Sequence, residues 1–192
     1  MPPEPIPTDP NSPDNETKDT DCDGLTDAQE FSATYADGLK TNPGLADTDG
    51  DRIPDGMELG LTSSPDPACA NTFVPDADPT TKTSPVLADS DGDGIVDGRE
   101  DLNFNGKVDP GETNPLNRDT DSDLLEDGEE DANKNGVKNL AETDPRVRDT
   151  DGDGAPDGVE VLYMNTNPLK PDTDGDSCLD AAEDVNMDGT VD

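Results

Sequence analysis

The sequence predicts an irregular fold that is mostly loop: an elongated array of repeats carrying a few short helical turns. Three observations predict it. Carboxylates recur at every second position in six twelve-residue stretches, and a glutamate closes each one. A Thr-x-Pro element precedes five of these stretches, its threonine always six residues ahead of the first aspartate. Only 27% of residues are hydrophobic and 3% aromatic, too few to offset chain entropy by burying an ordinary core.

Residues 1–18 are rich in Pro, Asp, Asn and Thr and read as an extended acidic arm. The repeat array occupies 19–192. Its first primary loop carries Asp19, Asp21, Asp23, Leu25, Asp27 and Glu30 at positions 1, 3, 5, 7, 9 and 12. The second carries Asp47, Asp49, Asp51, Ile53, Asp55 and Glu58, and the third Asp89, Asp91, Asp93, Ile95, Asp97 and Glu100. The fourth has Asp119, Asp121, Asp123, Leu125, Asp127 and Glu130, the fifth Asp149, Asp151, Asp153, Ala155, Asp157 and Glu160, and the sixth Asp172, Asp174, Asp176, Cys178, Asp180 and Glu183. Acids packed this densely repel one another unless a cation sits among them. The spacing matches a twelve-residue loop that offers Ca²⁺ oxygens from positions 1, 3, 5, 7, 9 and 12, with the backbone carbonyl serving at 7 and glycine at 6 for the turn. Position 6 holds Arg52, Leu124 and Ser177 instead of glycine in three loops, where a left-handed residue costs about 1 kcal/mol or more.

Three secondary loops follow primary ones directly. They carry Asp101, Asn103, Asn105, Lys107, Asp109 and Glu112; Asp131, Asn133, Asn135, Val137, Asn139 and Glu142; and Asp184, Asn186, Asp188, Thr190 and Asp192. Asparagine replaces aspartate in them, so weaker binding is expected. The Thr-x-Pro elements (Thr41-Asn42-Pro43, Thr83-Ser84-Pro85, Thr113-Asn114-Pro115, Thr143-Asp144-Pro145 and Thr166-Asn167-Pro168) give each loop an extended lead-in. Leu45, Leu87, Val147 and Leu169 are the expected packing contacts beside them. Proline at position 8, as at Pro54 and Pro156, disfavours strand pairing between loops and favours side-by-side stacking. Helical turns are expected after position 9, with Phe31 and Tyr35 at i and i+4 and a small apolar face from Val159, Leu162 and Tyr163. Residues 61–85 form an irregular insertion, pinned by a Cys69–Cys22 pair that leaves Cys178 over.

The net charge of −37, from 49 acids against 12 bases, argues against nucleic acid and anionic membrane surfaces as partners. No apolar run suits direct membrane insertion. The absence of histidine and of any CxxC pair argues against zinc. Each carboxylate pair is explained by a loop, so an enzyme is not expected. The opening residues, Met1-Pro2-Pro3-Glu4-Pro5, lack the basic and apolar regions of a signal peptide, as in a chain whose signal was removed or in a fragment. Asn15-Glu16-Thr17 is a glycosylation sequon.

The run Asp-Thr-Asp-Gly-Asp-Gly followed by Asp-Gly-x-Glu and Thr-Asn-Pro resembles the thrombospondin type 3 repeats of bacterial surface proteins across about residues 19–192. The resemblance implies an irregular backbone wrapped around a row of calcium ions, ligated at the loop positions named above. It also implies an extracellular or cell-surface location and a role as a stalk or linker. Animal members are rich in disulfides, and this chain departs from them with three cysteines. The secondary loops are also similar to dockerin calcium loops, although the helices that make a dockerin cohere are missing. The expected function is a calcium-rigidified stalk or filament subunit on a bacterial surface. The alternatives are a calcium-dependent adhesion module with its partner surface in 61–85 and a disordered calcium buffer. The last loop stops at position 9, Asp192, which reads either as a chain boundary set without regard to the loop, or more sequence beyond it, or as a site that a neighbouring molecule completes through the acids of its arm (Glu4, Asp9, Asp14 and Glu16), a head-to-tail self-association.

Overall fold

The computed structural model describes residues 17–184. The arm up to residue 16, with its acids and sequon asparagine, and the last secondary loop beyond Asp184 lie outside the described residues. The described chain is mostly loop. Its helical turns are α1 (Asp27–Ser32), α2 (Asp55–Glu58), α3 (Asp97–Glu100), α4 (Asp127–Glu130), α5 (Asp157–Val159) and α6 (Asp180–Glu183). Short 3₁₀ turns lie at Ala36–Gly38 and Pro67–Cys69, and a π turn runs through Glu160–Met164. Among the described residues there is no strand.

Every α turn begins at the position-9 aspartate. Position 8 is the extended N-cap, with φ −65° at Pro54 and −70° at Pro156, the value a proline ring imposes. Thr26 caps α1 in a reciprocal box with Gln29. The turn brings the aspartate at 9 and the glutamate at 12 to one side.

The loop backbone has two left-handed positions. Position 6 has φ 94° at Arg52 and Leu124 and 83° at Ser177, against 104° at Gly24. Position 4 is left-handed too, at Cys22, Gly50, Gly92, Ser122, Gly152 and Gly175. These two kinks aim the N–H groups of positions 4 and 6 at the first aspartate. Gly50 and Arg52 reach Asp47 at 2.7 and 3.0 Å, and Gly152 and Gly154 reach Asp149 at 2.7 and 2.9 Å.

The buried apolar side chains include those at position 7, Leu25 and Ile53 in the first half and Ile95, Leu125 and Ala155 after them, together with Met57 and Val86. Leu45, Leu87, Val147 and Leu169, expected to pack, are exposed. The lead-in buries its threonine and proline instead, as at Thr41 and Pro43 or Thr143 and Pro145. Two further expectations are corrected. Phe31 and Tyr35 do not share a helix, because Ala33 turns extended (φ −67°, ψ 152°) and ends α1. Leu162 and Tyr163 are 54% and 55% exposed on the π turn, so no buried apolar face forms there.

Contacts divide the chain into two compact units. One holds the described residues up to Ser90 with Val96–Pro110, and the other holds Asp91–Ile95 with the described residues from Gly111 onward. In the first unit the insertion is tied to the first loop by the Cys22–Cys69 disulfide, and the Phe73 ring fills the space that Gly24 leaves free. Cys178 is a free, exposed thiol.

Inside each unit, successive loops stack through the same kind of contact. In the first, the position-10 glycines Gly56 and Gly98 lie against the carbonyls of Asp23 and Asp51 so closely that a Cβ would fall 1.9 and 2.1 Å away. In the second, Gly128 and Gly158 meet Asp93 and Asp123 in the same way, at 2.3 and 2.4 Å. The N–H of Gly98 donates to Asp51 Oδ2 at 3.0 Å, as Gly128 does to Asp93 and Gly158 to Asp123.

Candidate metal centre

Some loop carboxylates are fully engaged by the chain itself. The aspartate at 1 accepts the backbone donors just described. The aspartate at 9 is clamped by residue 2, whose N–H and hydroxyl reach its two oxygens: Thr48 holds Asp55 at 2.7 and 2.6 Å, and Thr120 holds Asp127 at 2.7 and 2.5 Å. The same hydroxyl accepts the N–H of the residue after the lead-in threonine, as Thr48 does from Asn42 at 3.0 Å. The position-5 aspartate holds the N–H of residue 7 with Oδ1, as at Asp51–Ile53 (2.8 Å) and Asp153–Ala155 (2.7 Å).

Positions 3 and 12 are left over. Both carboxylate oxygens of Asp21, Glu30 and Asp121 are buried without a hydrogen-bond partner, as are Asp49 Oδ2, Glu58 Oε2, Asp151 Oδ2 and Glu160 Oε2. These oxygens gather in two kinds of cluster. Asp19–Asp21–Asp23 and Asp47–Asp49–Asp51 lie within single loops. Asp23–Glu30–Asp55 and Asp51–Glu58–Asp97 bring position 9 of the next loop against positions 5 and 12 of the one before. Within each cluster the oxygens lie within 4.8 Å of one another. The structure thus distributes the acids of one loop over two clusters and uses the position-5 aspartate in both.

The electrostatics follow. Burial, then the charges of Asp49 and Asp51, push Glu58 up to about 10. Burial, then Asp21, Asp23 and Asp55, push Glu30 up to about 9. In the second unit, burial raises Glu130 to about 9 against Asp123, Asp121 and Asp157, and raises Asp121 to about 7. Buried acids in this state cannot all ionise together without a counter-charge. A hard divalent cation fits the donor set, because the cluster atoms are all carboxylate oxygens and those of Asp21, Asp23, Glu30, Asp49 and Glu58 include buried ones that no donor reaches. Asp23, Glu30 and Asp55 would hold one such ion and Asp51, Glu58 and Asp97 another, and the intra-loop clusters Asp19–Asp21–Asp23 and Asp47–Asp49–Asp51 would each hold a further one.

The secondary loops differ. Their sixth N–H still returns to the first aspartate, Gly106 to Asp101 at 2.7 Å and Gly136 to Asp131 at 2.6 Å. Asp109, however, is bound by Lys107 at 2.6 Å and by the amides of Asn105 and Asn103 at 2.8 and 3.1 Å, which lower it to about 2. Glu142 takes the amides of Asn133 and Asn139 at 2.5 and 2.9 Å. In the sixth primary loop Cys178 N–H is held by Asp176 at 2.8 Å, and Asp172 accepts Gly175 and Ser177.

Three contributors escaped the sequence reading. The position-10 glycine was visible in the recurring Asp-Gly-x-Glu, where Ala28 and Ala181 are the exceptions. The position-4 kink was visible as a second recurring glycine. The position-2 hydroxyl was visible as Thr or Ser after the first aspartate of every primary loop.

A loop scaffold with acidic clusters able to hold metal ions sets the class: a metal-binding repeat protein. The family model of the bacterial TSP3 repeat, a structural, calcium-binding repeat, matches residues 19–33 and 149–171, so these two segments are similar to TSP3 repeats and support a TSP3-repeat reading of the array. No curated protein and no solved structure matches the chain. No helix among the described residues is long and apolar enough to cross a membrane.

Proposed function

We propose that this chain is a calcium-rigidified extracellular spacer, a stalk or filament subunit on a bacterial surface. One observation carries the reading: carboxylates of one loop, among them the buried and unpartnered Asp23 Oδ2, both oxygens of Glu30 and Glu58 Oε2, gather against the position-9 aspartate of the next, at Asp23–Glu30–Asp55 and Asp51–Glu58–Asp97. Calcium supplies the counter-charge that lets these acids ionise side by side. The side chains then hold twelve-residue turns in register, and binding free energy becomes folding free energy. Oxygen-only loops of this kind suit the millimolar calcium outside cells.

Native mass spectrometry at millimolar calcium, followed by proteolysis with and without excess EDTA, tests this. The loaded chain is expected to carry several ions and resist protease, and the stripped chain to be cut throughout. Equal resistance in both states would overturn the proposal. A second reading, a calcium-dependent adhesion module, draws on a cleft of about 650 Å³ lined by Gly24, Thr26, Gln29, Leu61 and Ser63, where the insertion meets the first loop. Deleting the insertion abolishes function in that case and spares it in a spacer.

A further inference from the structure

Asp76 belongs to the insertion and to none of the calcium-type loops. It is nevertheless only 4% exposed, and its Oδ2 has no hydrogen-bond partner. Its Oδ1 accepts the N–H of Asp78 at 2.7 Å. The insertion delivers this side chain to the secondary loop that starts at Asp101. The Ala77 N–H donates to the Asn105 carbonyl at 2.8 Å, and Asp76 Oδ1 stands only 2.5 Å from where a Cβ on Gly106 would lie.

Asp101 meets it at that glycine. Asp101 Oδ2 accepts the Gly106 N–H at 2.7 Å. Its Oδ1 is buried without a partner, and the residue is 4% exposed. Two buried carboxylates therefore converge on one glycine, each with one oxygen that no donor satisfies. Burial holds Asp76 above the ordinary carboxylate range, and the charges of Asp78 and Asp101 add to it. Leaving such oxygens unmatched is costly in a protein interior.

We propose that Asp76 and Asp101 together hold a hard divalent cation, so that the insertion completes a site on the secondary loop 101–112 from outside it. The chemistry explains the need. This loop offers asparagine where primary loops offer aspartate, and Lys107 neutralises Asp109. One imported carboxylate restores the charge that such a cation requires. The inference rests on the calcium reading above but is separable from it.

The test is a calcium chloride titration of the full chain read by native mass spectrometry, comparing wild type with D76N, D101N and the double variant. D76N is expected to weaken one ion about tenfold or more and leave the others in place. The double variant is expected to lose that same single ion, because both residues serve one site. An unchanged count and affinity in D76N, or two ions lost in the double variant, overturns the proposal. Where D76N does not fold at saturating calcium, D76E decides: one weakened ion supports the assignment, and wild-type binding overturns it. A wild-type chain that binds no calcium would instead refute the broader reading.

Discussion

The primary loop 47–58 and the secondary loop 131–142 share the hydrogen bonds of their sixth and seventh N–H groups and reach opposite electrostatic states. In both, the sixth N–H returns to the first aspartate, at 3.0 Å from Arg52 and 2.6 Å from Gly136. In both, the seventh N–H is held by residue 5, at 2.8 Å from Ile53 to Asp51 and from Val137 to Asn135. The closing glutamates differ. Burial and then Asp49 and Asp51 push Glu58 up to about 10. Burial also works against Glu142, but hydrogen bonds from Asn139 and Asn133 hold it below its ordinary value. Asparagine amides thus turn a cation trap into a self-satisfied loop that keeps the turn at positions 6 and 7. Turn geometry and ion demand are separate properties of this repeat.

The contrast can be broken hardest at Asp51, which serves an intra-loop and an inter-loop cluster at once. An ion present at a hundred times its Kd contributes about 2.7 kcal/mol. Asp51→Asn is therefore expected to cost roughly 5 kcal/mol at millimolar calcium if both ions are lost, read by thermal unfolding. Asn135→Ala, at the equivalent place in the secondary loop, should cost far less. The stacking contact comes next. Gly98→Ala drives a Cβ to 2.1 Å from the Asp51 carbonyl and is expected to cost about 1–3 kcal/mol, whereas Gly92→Ala has no atom within 4 Å and pays only for its left-handed backbone.

Acidity sharpens the same comparison. Glu58 and Glu30, raised to about 10 and about 9, keep protons in the ion-free fold that the unfolded chain releases near its ordinary value. The native state then binds more protons, so ion-free stability is greatest in acid and falls as pH rises through that window. Ion binding requires the ionised form, so calcium added at pH 7 should release protons. Glu58→Gln is expected to lower that release by about one per chain, measured by titration in weak buffer. Glu142, held low already, should contribute none. The smallest effect belongs to Lys107→Gln. Its exposed pair with Asp109 contributes little to stability, and its loss should tighten calcium binding at that loop a few-fold.

Much of this was legible in the residues because metal loops are local. Acid spacing and the closing glutamate marked each turn, and the prolines at position 8 argued against strand pairing between loops. Cys22 and Cys69 were the pair expected to pin the insertion. What was hidden depended on the neighbouring loop. Nothing local to Asp55 says that it faces Asp23 and Glu30, and the glycine after it reads as a turn residue until the Asp23 carbonyl is seen against it. The aliphatic residues at position 7 were read for their carbonyls, although their side chains are buried. Leu45 and its counterparts were read as core because a prolyl lead-in is apolar, but that lead-in buries its own proline and threonine.

Asp51 belongs to two clusters, and so does Asp23. Occupancy of one cluster fixes a side chain that the adjoining cluster also needs, so filling is expected to be cooperative along the stack. As free calcium falls, neighbouring turns would then loosen as a group over a narrow range of concentration, in the manner of a zipper, with no separate sensor in the chain.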